Sequence, residues 1–366
     1  MTTVLFIASP LLAFLFAVLI TPWVAALSRR FGLLDVPGGR RRHPHPIPRP
    51  GGLAIALAFG LTIFVFWLVD ALAGGPFLIP AEVRSPRFTL TAIAAVVGMT
   101  VGLLDDVFDL RARWQFLGYL GIAAIVVIAG IRIDFVSDPR SGEALLILAQ
   151  PIAIGFTVFW VVGMNVALNF IDGLDGLAAG VAAIAAVTLG AIALLPYVRE
   201  PFVAWMLFTL AGAILGFLLF FNFHPAKLFL GSTGVTFLGT MLAVLSVFGT
   251  AKVAAVLLVL GVPIIDTFYV LVRRALRGRP PFAPDRGHFH HRLLDVGLSH
   301  RRAVLLIYAM TLVMAGLAFA TSGAAQLLSF VGLATVLGAL VVALAQRSVK
   351  AEELDPALYA EDGDDR

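Results

Sequence analysis

The sequence predicts an all-α integral membrane protein of about eleven transmembrane helices, with its N-terminus outside and its C-terminus cytoplasmic. Three observations carry that expectation. Of 366 residues, 60% are hydrophobic and only 13% are charged, and the mean hydropathy of +0.99 lies far from soluble averages. Apolar runs of roughly the twenty residues needed to cross a hydrocarbon core recur along the whole chain. Lysine and arginine crowd into alternate connections between those runs.

The runs fall at about 3–27, 51–73, 88–104, 114–131, 144–164, 177–195, 202–221, 233–249, 253–272, 303–320 and 325–345. Ten is the alternative count, because the connection near residue 250 is so short. Connections 28–50, 105–113, 165–176, 222–232, 273–302 and the tail hold 20 of the 26 basic residues, so the positive-inside rule makes that side cytoplasmic. The first run has no basic residue before Arg29 and thus lacks the charged start of a cleaved signal peptide. It is expected to stay as a membrane helix. Residues 351–366 hold seven acids and no apolar periodicity. The organisation expected is therefore a polytopic membrane domain over 1–346 and an acidic, disordered cytoplasmic tail over 347–366.

Composition also excludes. With no cysteine there is no disulfide, thiolate metal site or cysteine nucleophile. The pI near 9.7 and net charge of +4 come from basic residues at the ends of apolar runs, which suits topology and phosphate binding rather than nucleic acid. No internal repeat supports a secondary transporter.

Every polar cluster with chemical potential lies on the cytoplasmic side. The first loop reads DVPGGRRRHPHPIPRPGG. Arg29 and Arg30 before it serve topology, while Arg40, Arg41, His43 and Arg49 lie where prolines and Gly51–Gly52 would hold cations near a helix entrance, an arrangement suited to phosphate. Asp105, Asp106 and Asp109 in LLDDVFDL are three carboxylates within about one helical turn, which repel unless a cation or proton joins them. In NVALNFIDGLDG, a helix of about 3.6 residues per turn would put Asn165, Asn169, Asp172 and Asp175 on one face as hard oxygen ligands. In KLFLGSTG, Ser232 reads either as a helix N-cap or as part of an anion site at a helix start, with Lys227 nearby. Asp266, in the ninth run, is a membrane carboxylate needing a partner that sequence does not name. The last loop brings Arg286, His288, His290, His291 and Arg292; the H-x-H-H spacing fits no structural zinc pattern, and imidazole with guanidinium suits a diphosphate better.

Taken in order, PIPRPGG, LLDD, NFIDGLDG, FLGSTG and HFHHRLLDVGLSH resemble the motifs of the polyprenyl-phosphate N-acetylhexosamine-1-phosphate transferases, glycosyltransferase family 4, across nearly the whole chain. HHRLL, in place of the HHHFE of the muramoyl-pentapeptide branch, resembles the WecA/TagO-like branch. The resemblance implies transfer of a sugar 1-phosphate, typically GlcNAc-1-phosphate from UDP-GlcNAc, to undecaprenyl phosphate, with release of UMP, as a first lipid-linked step of envelope polysaccharide synthesis. It implies Mg2+ as cofactor, with Mn2+ as an alternative, and a bacterial inner-membrane location with a cytoplasmic active site. The partners implied are a UDP-sugar, a polyprenyl phosphate and the bilayer, without nucleic acid; a homodimer is left open. By position, Asp105 and Asp106 would orient or deprotonate the lipid phosphate, with His43 and Arg49 on the acceptor side. Asn169 and Asp172 would lie at the metal, with Asp172 also catalytic, and Asp175 at the uridine. Arg286, His288, His290, His291 and Arg292 would hold the donor diphosphate. One departure stands out: Ser232 occupies the place of the family's metal-binding aspartate, so a neutral hydroxyl replaces an anionic ligand. Retained activity is the expectation; a lipid-phosphate-binding or scaffold paralogue and, more remotely, a transporter are the alternatives.

Overall fold

The computed structural model describes residues 3–36, 45–75, 79–137, 144–248, 253–276, 278, 287–321 and 324–354. Within them the chain is a bundle of helices with two small antiparallel strand pairs, Leu34–Asp35 with Ile47–Pro48 and Phe135–Ser137 with Ala144–Ile147. The helices are α1 (Thr3–Arg30), α2 (Gly52–Leu72), α3 (Pro86–Phe108), α4 (Ala112–Ile128), α5 (Gln150–Ile171), α6 (Leu177–Ala193), α7 (Pro201–Phe217), α8 (Gly231–Val247), α9 (Val253–Val259), α10 (Gly261–Leu276), α11 (Phe289–Asp295), α12 (His300–Ala320) and α13 (Ala324–Leu354).

Each of the eleven apolar runs contains a helix or a broken helix. Among the described residues six helices are long and apolar enough to span a membrane: the first three, α5, α7 with its π-helical extension to Asn222, and α12. Shorter apolar helices fill the runs of α4, α6, α8 and α13, and the ninth run folds as α9 and α10, bent by 81°. The fifth run starts later than expected, because residues 144–147 pair as a strand and α5 begins only at Gln150. α13 continues to Leu354, into the segment expected as a tail; residues 355–366 lie outside the described residues.

A helix in lipid must satisfy its polar groups internally, and several hydroxyls of these helices do so through the backbone. Ser9, Thr21, Ser28 and Thr62 donate to the carbonyls four residues earlier at 2.6–2.8 Å. On α1, Leu11, Leu15 and Leu19 stand outward at four-residue spacing while Ala13 and Ala17 are fully buried, and this helix packs on α7 and α2. Large apolar side chains are exposed on most of the peripheral helices, as a lipid-facing surface requires. α8 runs through the middle, buried at every position from Thr233 to Val247.

The start of α8 is pinned by close backbone approach. A Cβ at Gly52 of α2 would lie 1.9 Å from the Gly234 Cα, and one at Gly102 of α3 would lie 2.2 Å from the Ser232 carbonyl oxygen. Backbone hydrogen bonds reinforce the seat: Phe229 donates to Pro48, and Gly51 and Gly52 donate to Phe229 and Leu230, at 2.8–2.9 Å. Three connections distant in sequence thereby meet at one end of the bundle.

Gly52→Ala should therefore lower the thermal midpoint in detergent by an amount equivalent to roughly 1–3 kcal/mol or more. Gly60→Ala on the same helix, where nothing lies within 4 Å of the added methyl, should be neutral or stabilising. Equal behaviour of the two variants would refute the close-packing account.

Candidate active site

The last turn of α3 delivers two carboxylates to the buried start of α8. Asp105 accepts from the Leu110 amide and from Gln115 Nε2, each at 2.9 Å, which ties down the corner into α4. Its other oxygen accepts a short hydrogen bond from Ser232 Oγ. Asp106 caps α8: it takes the amides of Ser232 and Thr233, both at 2.9 Å, and the Thr233 hydroxyl at 2.6 Å. A carboxylate on those amides is favoured by hydrogen bonding and by the helix dipole. Ser232 is accordingly not the N-cap; a side chain more than a hundred residues earlier does that work. Asp109 ends α3 in the left-handed conformation, φ 45°, and pairs with Arg49 at 2.7 Å. Arg49 also holds Asp35 at 2.6 Å, so its guanidinium is a bridge between acids at the cavity wall.

Where α5 ends, Asn169 occupies the last turn and Asp172 the C-cap, so the expected four-residue face breaks up. Asn165 is fully buried and bonds to Val161 O at 2.8 Å and Thr240 at 3.4 Å, a packing role inside the bundle. Asn169 meets Tyr119 through its amide nitrogen. Asp172 is half-buried in a recess and, among the described residues, its carboxylate has no hydrogen-bond or ion-pair partner. Burial, then the charges of Asp106 and Asp175, push it up to about 8. Asp175 lies beyond the helix, bound to His224 Nδ1 at 2.7 Å and the Ala226 amide at 3.1 Å. The His224 ring stacks on that of His300 at 4.1 Å.

These groups line one cavity of about 1040 Å³, open to solvent. Asp105, Asp106, Asn169, Asp172, Asp175, Ser232, Arg49 and His291 all reach it, together with Asp35, Asp109, His45, Asn222, His224, Asp295 and His300. The histidine-rich loop divides. Its short helix α11 turns His291 to the cavity, whereas His288, His290 and Arg292 are buried behind it. His288 Nδ1 bonds to Asp266 at 2.9 Å, which supplies the partner that this membrane carboxylate needed. His290 packs so closely on the loop after α5 that a Cβ at Gly173 would stand 2.1 Å from its Nε2. Burial above all, then His291, His288 and His300, holds its imidazole well below the usual value, so it is neutral at physiological pH. Arg292 donates to Gly287 O and lies over the Tyr269 ring. Three of the residues expected on a donor diphosphate are thus inside the wall rather than on it. His43 and Arg286 lie outside the described residues.

Sequence reasoning missed His224, His300 and Asp35. The signal for His224 was its place in NFHPAK, directly after an apolar run on the expected cytoplasmic side; His300 opens α12 in the same way.

The donor set fits a hard divalent cation. Seven carboxylates line the cavity, against Arg49 as the permanent cation among the described residues, and Asp172 faces its neighbours unpaired. Asp105, Asp106, Asn169 and Asp172 are oxygen donors of the kind magnesium takes.

Asp106→Ala should destabilise the protein by about 1–3 kcal/mol, because it strips a buried helix start of its cap. Asp172→Asn should be neutral or stabilising, since it relieves repulsion without removing a bond. Thermal unfolding of both variants in magnesium-free detergent checks the pair; a larger loss at Asp172 would contradict this assignment.

The profile of Glycosyl transferase family 4 matches residues 88–250. The chain is 37% identical over 306 residues to a probable undecaprenyl-phosphate N-acetylglucosaminyl 1-phosphate transferase of Bacillus subtilis, covering 81% of this chain and 80% of that one. It is 35% identical to the decaprenyl-phosphate N-acetylglucosaminephosphotransferase of Mycolicibacterium smegmatis, over 79% of this chain and 75% of the relative. It is 33% identical to the phospho-N-acetylmuramoyl-pentapeptide-transferase of Desulforudis audaxviator, over 84% and 95% respectively. With apolar helices in every run, a carboxylate-lined cavity where the helix ends meet, and identity of this extent, the chain is a multi-pass membrane protein that belongs to glycosyl transferase family 4, the polyprenyl-phosphate N-acetylhexosamine-1-phosphate transferases.

Proposed function

We propose that this protein transfers N-acetylglucosamine 1-phosphate from UDP-GlcNAc to a polyprenyl phosphate such as undecaprenyl phosphate, giving a lipid diphosphate sugar and UMP. The observation that carries the reading is the charge of the cavity. Two phosphorylated substrates are repelled by a wall of seven carboxylates unless a divalent cation joins them, and phosphoryl transfer is the chemistry in which such a cation is most useful. The relatives' names supply the lipid and the sugar.

An oxygen of the lipid phosphate attacks the sugar-bearing phosphorus; a new P–O bond forms, the bond to the bridging oxygen breaks, and that oxygen leaves on UMP. Asn169 and Asp172 would hold Mg2+, with Asp105 or Asp106 beside it and Ser232 at the position of the family's anionic ligand. Bound there, Mg2+ neutralises the phosphate oxygens and the charge that develops on the leaving group. Asp105 and Asp106 orient the lipid phosphate, and Asp105 is held for this by Gln115, Leu110 and Ser232. Arg49 acts on the acceptor side through Asp35 and Asp109, with His43 beside it. Asp175 and its partner His224 serve the nucleotide, and His291 the donor diphosphate. His288, His290 and Arg292 support His291 from behind. The chain crosses the bacterial inner membrane eleven times, α9 and α10 counting as one broken crossing, with the N-terminus outside and the cavity on the cytoplasmic face. A long apolar acceptor can then approach within the bilayer while the nucleotide arrives from water.

Purified protein with Mg2+, UDP-GlcNAc and undecaprenyl phosphate should release UMP. Absence of UMP with every common UDP-sugar, alongside an active relative in the same detergent, would refute the reading. Ser232→Asp should lower the magnesium concentration for half-maximal rate, and no change would remove residue 232 from the metal. The magnesium requirement should also fall as pH rises. Asp172 is held up to about 8 and is therefore mostly protonated at pH 6.5, so a cation must displace its proton there and need not at pH 8.5. Titration of rate against magnesium at the two pH values checks the sign; a flat response would exclude Asp172 as a ligand.

A further inference from the structure

Asp266 has no place in the chemistry above, yet it is 3% exposed in a membrane helix, where a carboxylate is retained at a cost. Both of its oxygens are committed to one element. Oδ2 takes His288 Nδ1 at 2.9 Å and Oδ1 takes the Phe289 amide at 2.8 Å, at the residues that open α11. That helix has seven residues, too few to fix its own position, so tertiary anchors set which way it faces.

The anchors converge on the metal-side loop. The His288 ring stands edge-on to Phe170 of α5 at 5.1 Å, one residue after Asn169 and two before Asp172. His290 fills the space that a side chain at Gly173 would need. α10, which carries Asp266, packs on α5, and Arg274 of α10 lies over the same Phe170 ring at 5.4 Å. One residue further along α11, His291 lines the cavity, its ring 4.2 Å from that of His290. We propose that Asp266 is a positioning residue: from inside the bundle it clamps α11 against the end of α5, and so sets the place of His291 in the cavity that Asn169 and Asp172 also line. It touches neither substrate and acts through His288 and the α11 backbone. A charged acceptor is suited to the task because it binds both an imidazole N–H and an amide, which an apolar residue of the same size could not do.

The inference rests on the proposed transferase reading for its kinetic consequence, while its structural consequence does not depend on any activity. The chain has no cysteine, so a single introduced thiol reports on one place. Leu293→Cys puts a thiol on the buried face of α11, and Leu242→Cys puts one in the middle of α8 as a control. With N-ethylmaleimide, Asp266→Ala should speed modification at 293 on the order of tenfold or more, since two buried donors lose their acceptor, and Asp266→Asn by less. Modification at 242 should not change. In UMP release, Asp266→Ala should raise KM for UDP-GlcNAc on the order of tenfold and leave KM for undecaprenyl phosphate within about twofold. Adding His291→Ala to Asp266→Ala should cost nothing further, because both act through one group.

Unchanged protection at 293 overturns the proposal. Equal loss of protection at 293 and 242 also overturns it, since Asp266 would then only hold the fold together, as would additive effects of the two substitutions. If the wild-type protein releases no UMP, the transferase reading falls and the thiol result still decides the clamp.

Discussion

The N-terminus of α8, half-buried at Gly231 and Ser232 and fully buried from Thr233, imposes the condition around which this end of the molecule is organised. A helix that starts at the floor of a cavity in a membrane protein presents amide groups with little water around them, and leaving them bare is costly. Asp106 meets that need from α3, with both oxygens on Ser232 and Thr233. The bond fixes α3 to α8, and glycines at 52 and 102 allow the backbones to come close enough for it. Once α8 is seated, the Phe229–Gly231 segment is strapped to the Pro48–Gly52 segment, and Arg49 is delivered beside Asp35 and Asp109. The same constraint that solves a folding problem therefore assembles the cavity.

Charge then decides what the cavity can do. Its acids do not share the same condition. Asp105 and Asp106 are saturated with donors, Asp35 and Asp109 are bridged by Arg49, and Asp175 is held by His224 and a backbone amide. Among the described residues Asp172, between Asp106 and Asp175, has no such partner, and neither does Asp295 at the end of α11. An unpaired carboxylate beside committed ones is where a cation gains most, and this gradation supports the metal position proposed above at the end of α5. It also gives Ser232 a definite task, because its hydroxyl donates to Asp105 where a carboxylate would repel it unless a cation stood between them.

The histidine arm shows where reading by residue type fails. Four adjacent basic positions, His288, His290, His291 and Arg292, look equivalent as phosphate ligands in the string HFHHR. On a short helix against a wall they cannot be equivalent, since successive side chains point about 100° apart. One faces the cavity and three are packed behind it, with His290 kept neutral by burial. The pairing of Asp175 with His224 and the stacking of His300 were equally hidden, because they join residues 49 or more positions apart that only share an end of the bundle.

The sequence by itself determined that the chain lives in a membrane, where its apolar helices lie, which connections gather the polar chemistry and in what order the motifs come. Those are local properties, set by the length of apolar runs and by the charge between them. Only the tertiary structure decided which carboxylates are left unpaired, that Asp106 caps a helix, that Asp266 answers to His288, and which histidine of α11 meets the cavity. The direction and ionisation of a side chain depend on what long-range packing places around it, and no stretch of sequence contains that surrounding.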